Sequence, residues 1–251
     1  MDRLLENHVA LVTGAAQGNG AAIAKGLAMA GAAVAVSDIN LDGAKETALV
    51  IERVGSRSFA FKCDVADREQ CTAFIMEAEE VLGKPSILVN NAGIFIRGGL
   101  DERNFEGVWR QTLNINVMGV VNMTMAALPS LRQTKGRIIN VGSIRSFTAD
   151  KASAAYAASK GAILQITKSF AVELVGEGIR VNAIAPGIIA TPMTEVTRAD
   201  PSKIGNFLRD VPMGRVGEAE ELVGPVNFLA SDMSSYITGV MLPVDGGYLA
   251  Q

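Results

Sequence analysis

Short β-branched runs alternate with longer helical patterns along the whole 251-residue chain. The strand-like runs fall at 8–13, 32–37, 58–62, 86–90, 137–141, 180–185 and 240–244, and several are apolar at nearly every position. Such runs suit strands covered on both faces, as in a parallel sheet. Helical patterns occupy 19–30, 42–54, 68–82, 106–132, 154–175 and 218–230, with Gly, Asp or Asn at the junctions. Strict alternation with short connections calls for right-handed crossovers. The expectation is one α/β domain over 1–251, a doubly wound parallel sheet (Rossmann fold) of about seven strands with helices on both faces. The least regular stretch, 188–217, carries Pro192, Pro201 and Pro212 and reads as a lid over a site.

Composition removes several chemistries. A net charge of −3 and a pI near 5.4 argue against nucleic-acid binding, which needs a basic footprint. No apolar run reaches the ~18 residues that span a bilayer. The opening residues 1–8 lack the apolar core of a signal peptide, so a cytoplasmic protein without membrane contact is expected. Cys63 and Cys71 do not make a disulfide scaffold, and with the single histidine, His8, they do not supply four zinc ligands. No metal is expected. His8 precedes the first strand, at the end opposite the chemistry in open α/β sheets, and is expected at the surface. Neither a G-x-S-x-G elbow nor a P-loop occurs.

The first strand runs into TGAAQGNG, residues 13–20, and a helical pattern follows at once. Gly14, Gly18 and Gly20 let bare backbone approach a pyrophosphate at a helix N-terminus, with Gln17 and Asn19 between them. The second strand ends in Asp38-Ile39. A carboxylate there can accept hydrogen bonds from ribose hydroxyls and would repel a 2′-phosphate. No Lys or Arg sits in the loop or beside Asp38 to offset that charge. The reading is NAD rather than NADP.

The G-x-x-x-G-x-G spacing resembles the short-chain dehydrogenase/reductase family, and further motifs of that family follow in order over essentially the whole chain. They are Asp64-Val65 after the third strand, Asn90-Asn91-Ala92-Gly93 closing the fourth, and Asn116 within NINVMG. Ser143, Tyr156-Ala-Ala-Ser-Lys160 and Pro186-Gly187 with Ile189 and Thr191 complete the set. The resemblance implies that Asp64 and Val65 contact adenine, and that Asn91, Ala92, Gly93, Pro186, Gly187, Ile189 and Thr191 line the cofactor site. It also implies that Asn116 fixes a water relaying protons from Lys160. Asn114 is a decoy beside Asn116. Asn19 departs from the pattern, standing where an aliphatic residue is usual. A homotetramer paired through the helices near 118–132 and 156–175 is likewise what the resemblance implies.

Tyr156 and Lys160 are four apart and share a helix face. A tyrosine of pKa about 10 is a poor base at neutrality. An ammonium ~4.5 Å away, at an effective dielectric of ~20, would favour the phenolate by roughly 3–4 kcal/mol. That would bring Tyr156 into the range of a general acid/base, while Lys160 also has donors for the ribose hydroxyls. Ser143 lacks a neighbouring histidine, so it reads as a holder of the substrate oxygen rather than a nucleophile. Arg97 and Arg145 follow strands near this centre and could pair with a substrate anion. Phe95, Ile96, Phe147, Ile188 and Met193 are candidates for the remaining wall. Met118, Met123 and Met125 suggest core or subunit contact. NNAG followed by Arg97, and the terminal VDGGYLA, are also similar to gluconate 5-dehydrogenase and 2-deoxy-gluconate 3-dehydrogenase types within the family. The expected activity is NAD-dependent interconversion of a secondary alcohol and a ketone, on a small polyol or sugar acid. Rival readings are a 3-oxoacyl-(acyl-carrier-protein) reductase, disfavoured by Asp38, and a non-catalytic NAD(H) sensor, disfavoured by the full Asn116–Ser143–Tyr156–Lys160 set. An epimerase or dehydratase would need a separate C-terminal substrate domain.

Overall fold

A computed structural model describes residues 4–251, so the reading of the extreme N-terminus lies partly outside the described residues. Seven parallel strands form one sheet: β1 (Val9–Thr13), β2 (Ala33–Asp38), β3 (Ser58–Lys62), β4 (Ile87–Asn90), β5 (Arg137–Val141), β6 (Arg180–Pro186) and β7 (Met241–Val244). Their order is β3-β2-β1-β4-β5-β6-β7. The order reverses between β1 and β4, and a crevice opens there at the carboxyl ends of the strands. Every residue of β1 and β4 is buried, as their unbroken apolar runs require.

The helices are α1 (Gly18–Met29), α2 (Leu41–Arg53), α3 (Arg68–Leu82), α4 (Phe105–Leu113), α5 (Gly119–Thr134), α6 (Ala154–Leu174), α7 (Glu195–Arg198), α8 (Pro201–Arg209) and α9 (Val223–Ala230). One apolar layer joins Ile23, Leu27 and Val226 of α1 and α9 to Val12, Val34 and Ile139 of the sheet. The other packs Phe74, Met123 and Leu131 of α3 and α5 on Leu11, Leu88 and Ile138. Successive residues of a strand face opposite layers, so β1 feeds both cores. At Gly26 a side chain would come within 2.3 Å of Val223, which is why α1 can lie close to the start of α9. Asn40 and Asp67 cap α2 and α3 by accepting from backbone N–H groups of the first turn. No helix among the described residues is long and apolar enough to cross a membrane.

Several expectations are corrected in detail. The single helix read over 106–132 is α4 and α5 joined by a π-helical turn, Asn114–Met118. The 188–217 stretch is less irregular than its prolines suggest, because Pro192 and Pro201 stand at helix starts, where a missing N–H costs nothing. His8 is not a free surface group. It is half-buried, its Nδ1 shares a 2.8 Å hydrogen bond with Ser86 Oγ, and burial lowers its pKa. Met123 is core, whereas Met118 and Met125 are exposed. Cys63 and Cys71 are both free and buried.

Candidate active site

The glycine loop and the NNAG turn are built as one unit. Asn91 donates from its side-chain amide to the carbonyls of Thr13 and Gly14, each at 2.9 Å. Thr13 Oγ1 returns the favour, accepting from the N–H groups of Asn91 and Ala92. A side chain at Gly14 would strike Ala92 Cα at 2.7 Å, and one at Gly20 would strike Gly14 O at 2.2 Å. Gly14 and Gly18 also hold φ of +62° and +57°, a region other residues avoid. Gln17 leaves the first N–H groups of α1 without a side-chain cap, so they stay available to an anion. The result is a cleft of about 490 Å³ at the switch point of the sheet.

Every residue expected at a cofactor lines this cleft: Gly14, Gln17, Gly18, Asn19, Gly20, Asp38, Ile39, Asp64, Val65, Asn91, Ala92, Gly93, Tyr156, Lys160, Pro186, Gly187, Ile189 and Thr191. Cys63, Ile94, Gln111, Ile115, Val141 and Gly142 also line it and were not foreseen. Position alone could have found Cys63 and Val141, since both sit at carboxyl ends of strands. The hydrogen bond between the two cysteines, then burial, pushes the Cys63 thiol up. Asp38 accepts from the N–H of Ala16 through Oδ2 and from that of Asn40 through Oδ1, both at 3.0 Å. These bonds fix the carboxylate at the lip of the cleft and leave lone pairs for ribose hydroxyls. The side-chain oxygen of Asn19 is buried without a protein partner, which a donor on a bound group would relieve. Narrow glycine walls, uncapped N–H groups and a fixed carboxylate together fit a dinucleotide.

The candidate catalytic groups meet where this cleft joins a second cavity of about 440 Å³, and Ser143 and Tyr156 line both. Ser143 caps a short turn, accepting from Arg145 N–H at 3.1 Å. Ser159 donates to Tyr156 O and accepts from Asn116 Nδ2, tying α6 to the π turn. Lys160 is buried and donates to Val141 O at 2.8 Å, with its Nζ 5.6 Å from the Tyr156 ring centroid. Burial raises the Tyr156 phenol above its ordinary pKa, opposed by the hydrogen bond from Ser143 and the charge of Arg145. The expected lowering by Lys160 is therefore corrected: its ammonium is turned to a backbone carbonyl, and burial brings its own pKa down to about 8. Asn116 lies behind the cleft wall and lines neither cavity. Its carboxamide is held by the N–H and carbonyl of Ile94 and by Ser159. Asn114 is exposed.

The second cavity has Phe95, Arg97, Arg145, Ile188 and Met193 in its wall, as expected, and not Ile96 or the exposed Phe147. Phe95 packs on Tyr156 with ring centroids 4.8 Å apart, and the Arg97 guanidinium lies 5.0 Å from the Phe95 ring. Among the described residues, the one hydrogen bond of the Arg97 side chain is to Thr197 Oγ1, at 3.5 Å. Arg145 is committed instead to Thr148, Ala149 O and the carboxylate of Asp150. Phe207 and Tyr248 complete the far wall, and no sequence periodicity marked either.

The family model described as enoyl-(acyl carrier protein) reductase matches residues 14–249. A 3-oxoacyl-(acyl-carrier-protein) reductase of Thermotoga maritima is 39% identical over 97% of this chain and 98% of its own. A 2-dehydro-3-deoxy-D-gluconate 5-dehydrogenase of Pseudoalteromonas atlantica is 37% identical over 98% of each. A solved structure from Agrobacterium tumefaciens with bound NADP, described as a candidate 2-deoxy-D-gluconate 3-dehydrogenase, superposes with a TM-score of 0.91 at 36% identity, covering 99% of each chain. A dinucleotide cleft opening into a small-molecule cavity defines a nicotinamide-dependent oxidoreductase of alcohol and ketone groups. The chain belongs to the short-chain dehydrogenase/reductase family.

The buried lysine has a consequence for stability. Its ammonium titrates near 8 when folded against 10.5 when exposed. Between those values the unfolded chain binds the extra proton, so Lys160 costs stability fully below pH 8 and progressively less towards pH 10.5. Lys160→Met should therefore be most stabilised, relative to the wild type, at pH 7. That advantage should shrink by up to about 3 kcal/mol by pH 10.5. Urea midpoints across the range test this, and an advantage constant with pH contradicts it.

Proposed function

We propose that this protein is an NAD-dependent dehydrogenase of a small polar polyol or sugar acid. The observation that carries the cofactor preference is the charge of the cleft. Asp38 and Asp64 line it, and Lys160, at the nicotinamide end beside Tyr156, is the one cation in its wall among the described residues. Lys62 of β3 is the register partner of Asp38 but is not in the cleft wall, so among the described residues no lining cation stands at Asp38 to receive a 2′-phosphate. Repulsion by Asp38 then favours NAD, although a relative carries NADP.

The bound nicotinamide supplies the hydride acceptor or donor. The chain manages position and protons. Tyr156 takes the hydroxyl proton of the alcohol, or returns one to the ketone, at its phenol oxygen. Ser143 holds the same substrate oxygen through a hydrogen bond in both states. Lys160 holds ribose hydroxyls, and Asn116 positions the turn behind it through Ile94 and Ser159. Because burial raises the phenol's pKa, alcohol oxidation should accelerate with rising pH as the phenolate forms. Arg97, with no carboxylate partner among the described residues, is the better placed of the two arginines for a substrate anion, and Arg145 adds its charge from the wall. The protein acts as a homotetramer in this reading, supported by the exposed Met118 just before α5, Met125 on α5, Val172 on α6 and Val175 just after it.

Tyr156→Phe should lower kcat at least ~100-fold while NADH affinity, read by fluorescence, stays within a few-fold. Substantial residual turnover removes Tyr156 from the acid/base role. Asp38→Ala should raise kcat/KM for NADP relative to NAD by about tenfold or more. An unchanged ratio shows that the preference lies elsewhere.

A further inference from the structure

The last seven residues close a turn that reaches back to the second cavity. β7 fixes the start of this turn in the sheet, and Asp245 then accepts from the N–H groups of Gly247 and Leu249 at 2.9 and 3.0 Å. Gly246 and Gly247 hold φ of +65° and +90°, and a side chain at Gly247 would come within 3.0 Å of Pro212. Two consecutive left-handed residues packed this closely aim Tyr248 at the cavity. There its ring stacks on Phe207 of α8, with centroids 5.0 Å apart and planes 16° apart. The Arg145 guanidinium lies 5.9 Å from the same ring and reaches the phenol oxygen at 3.5 Å.

The other side of the stack is weakly held. Neither α7 nor α8 buries a single residue, and Asp200 caps α8 by itself. Beyond the stack, the C-terminal turn grips the segment after α8 through Gly246 O with Met213 N–H and Gln251 with Asp210 O. A helix with so little buried surface opens locally at low cost.

We propose that Tyr248 is a substrate-positioning residue: its stack on Phe207 fastens α8 over the cavity, and its contact with Arg145 joins that lid to the turn carrying Ser143. This rests on the reading of the second cavity as the substrate site. Tyr248 does not line the cofactor cleft, so its effect falls on substrate affinity and not on NADH.

Tyr248→Ala, Phe207→Ala, the double variant and Tyr248→Phe are compared with the wild type, using NAD⁺ with sodium D-gluconate and limited trypsinolysis. Tyr248→Ala should raise KM for gluconate by about 3- to 10-fold with kcat within about threefold. The double variant should be no worse than either single one, and Tyr248→Phe should restore most of the affinity. Cleavage after Lys203 and Arg209 should accelerate in Tyr248→Ala and Phe207→Ala, with NADH affinity unchanged. Additive single effects, a loss confined to kcat, or cleavage no faster than in the wild type overturns the proposal. If gluconate is not turned over, the substrate reading has failed on its own, and the cleavage rates alone decide whether Tyr248 fastens α8.

Discussion

The site depends on the way one asparagine staples two strand ends together. Asn91 bonds to the carbonyls of Thr13 and Gly14, and Thr13 bonds back to the N–H groups of Asn91 and Ala92. This reciprocal set closes the switch point between β1 and β4 while keeping the glycine loop open to a ligand. It is also why Gly14 and Gly20 tolerate no side chain. With that wall fixed, the parallel register carries Asp38, Asp64, Ser143 and Gly187 to the same edge of the sheet.

The electrostatics of Tyr156 and Lys160 differ from a simple ammonium beside a phenol. Lys160 gives one of its three donors to Val141 O, and the cation that pulls on Tyr156 is Arg145, itself partly neutralised by Asp150. Both Tyr156 and Lys160 are pushed by burial towards their neutral forms, the one upward and the other downward. Neither group carries a strongly favoured fixed charge in this setting. The same low-polarity setting strengthens the hydrogen bond between Ser143 and the phenol.

The sheet and the cofactor cleft were legible because their signals are local. Unbroken apolar runs mark buried strands, and the glycines, Asp38 and NNAG each sit where one strand ends. The second cavity was legible only in part. Arg97, Arg145, Phe95, Ile188 and Met193 follow motifs closely enough to be placed, but Phe147 turned out to face solvent and Ile96 to lie outside the wall. Phe207 and Tyr248 come from elements some forty residues apart in sequence, and the left-handed pair Gly246-Gly247 turns the chain so that they meet. The π turn at Asn114–Met118 is likewise invisible to periodicity, since five helical residues fit either register. His8 misled because the spatial neighbour that buries it, Ser86, is the first residue before β4.

The central claim is that one chain joins an NAD-selective cleft to a cavity for a small polar alcohol, with Tyr156 between them. The most direct measurement follows NADH absorbance when the purified protein meets NAD⁺, or NADP⁺, with a panel of polyols, sugar acids and simple secondary alcohols. The account predicts NAD⁺-dependent turnover concentrated in the polyols and sugar acids. Turnover confined to NADP⁺, or to apolar alcohols alone, contradicts it.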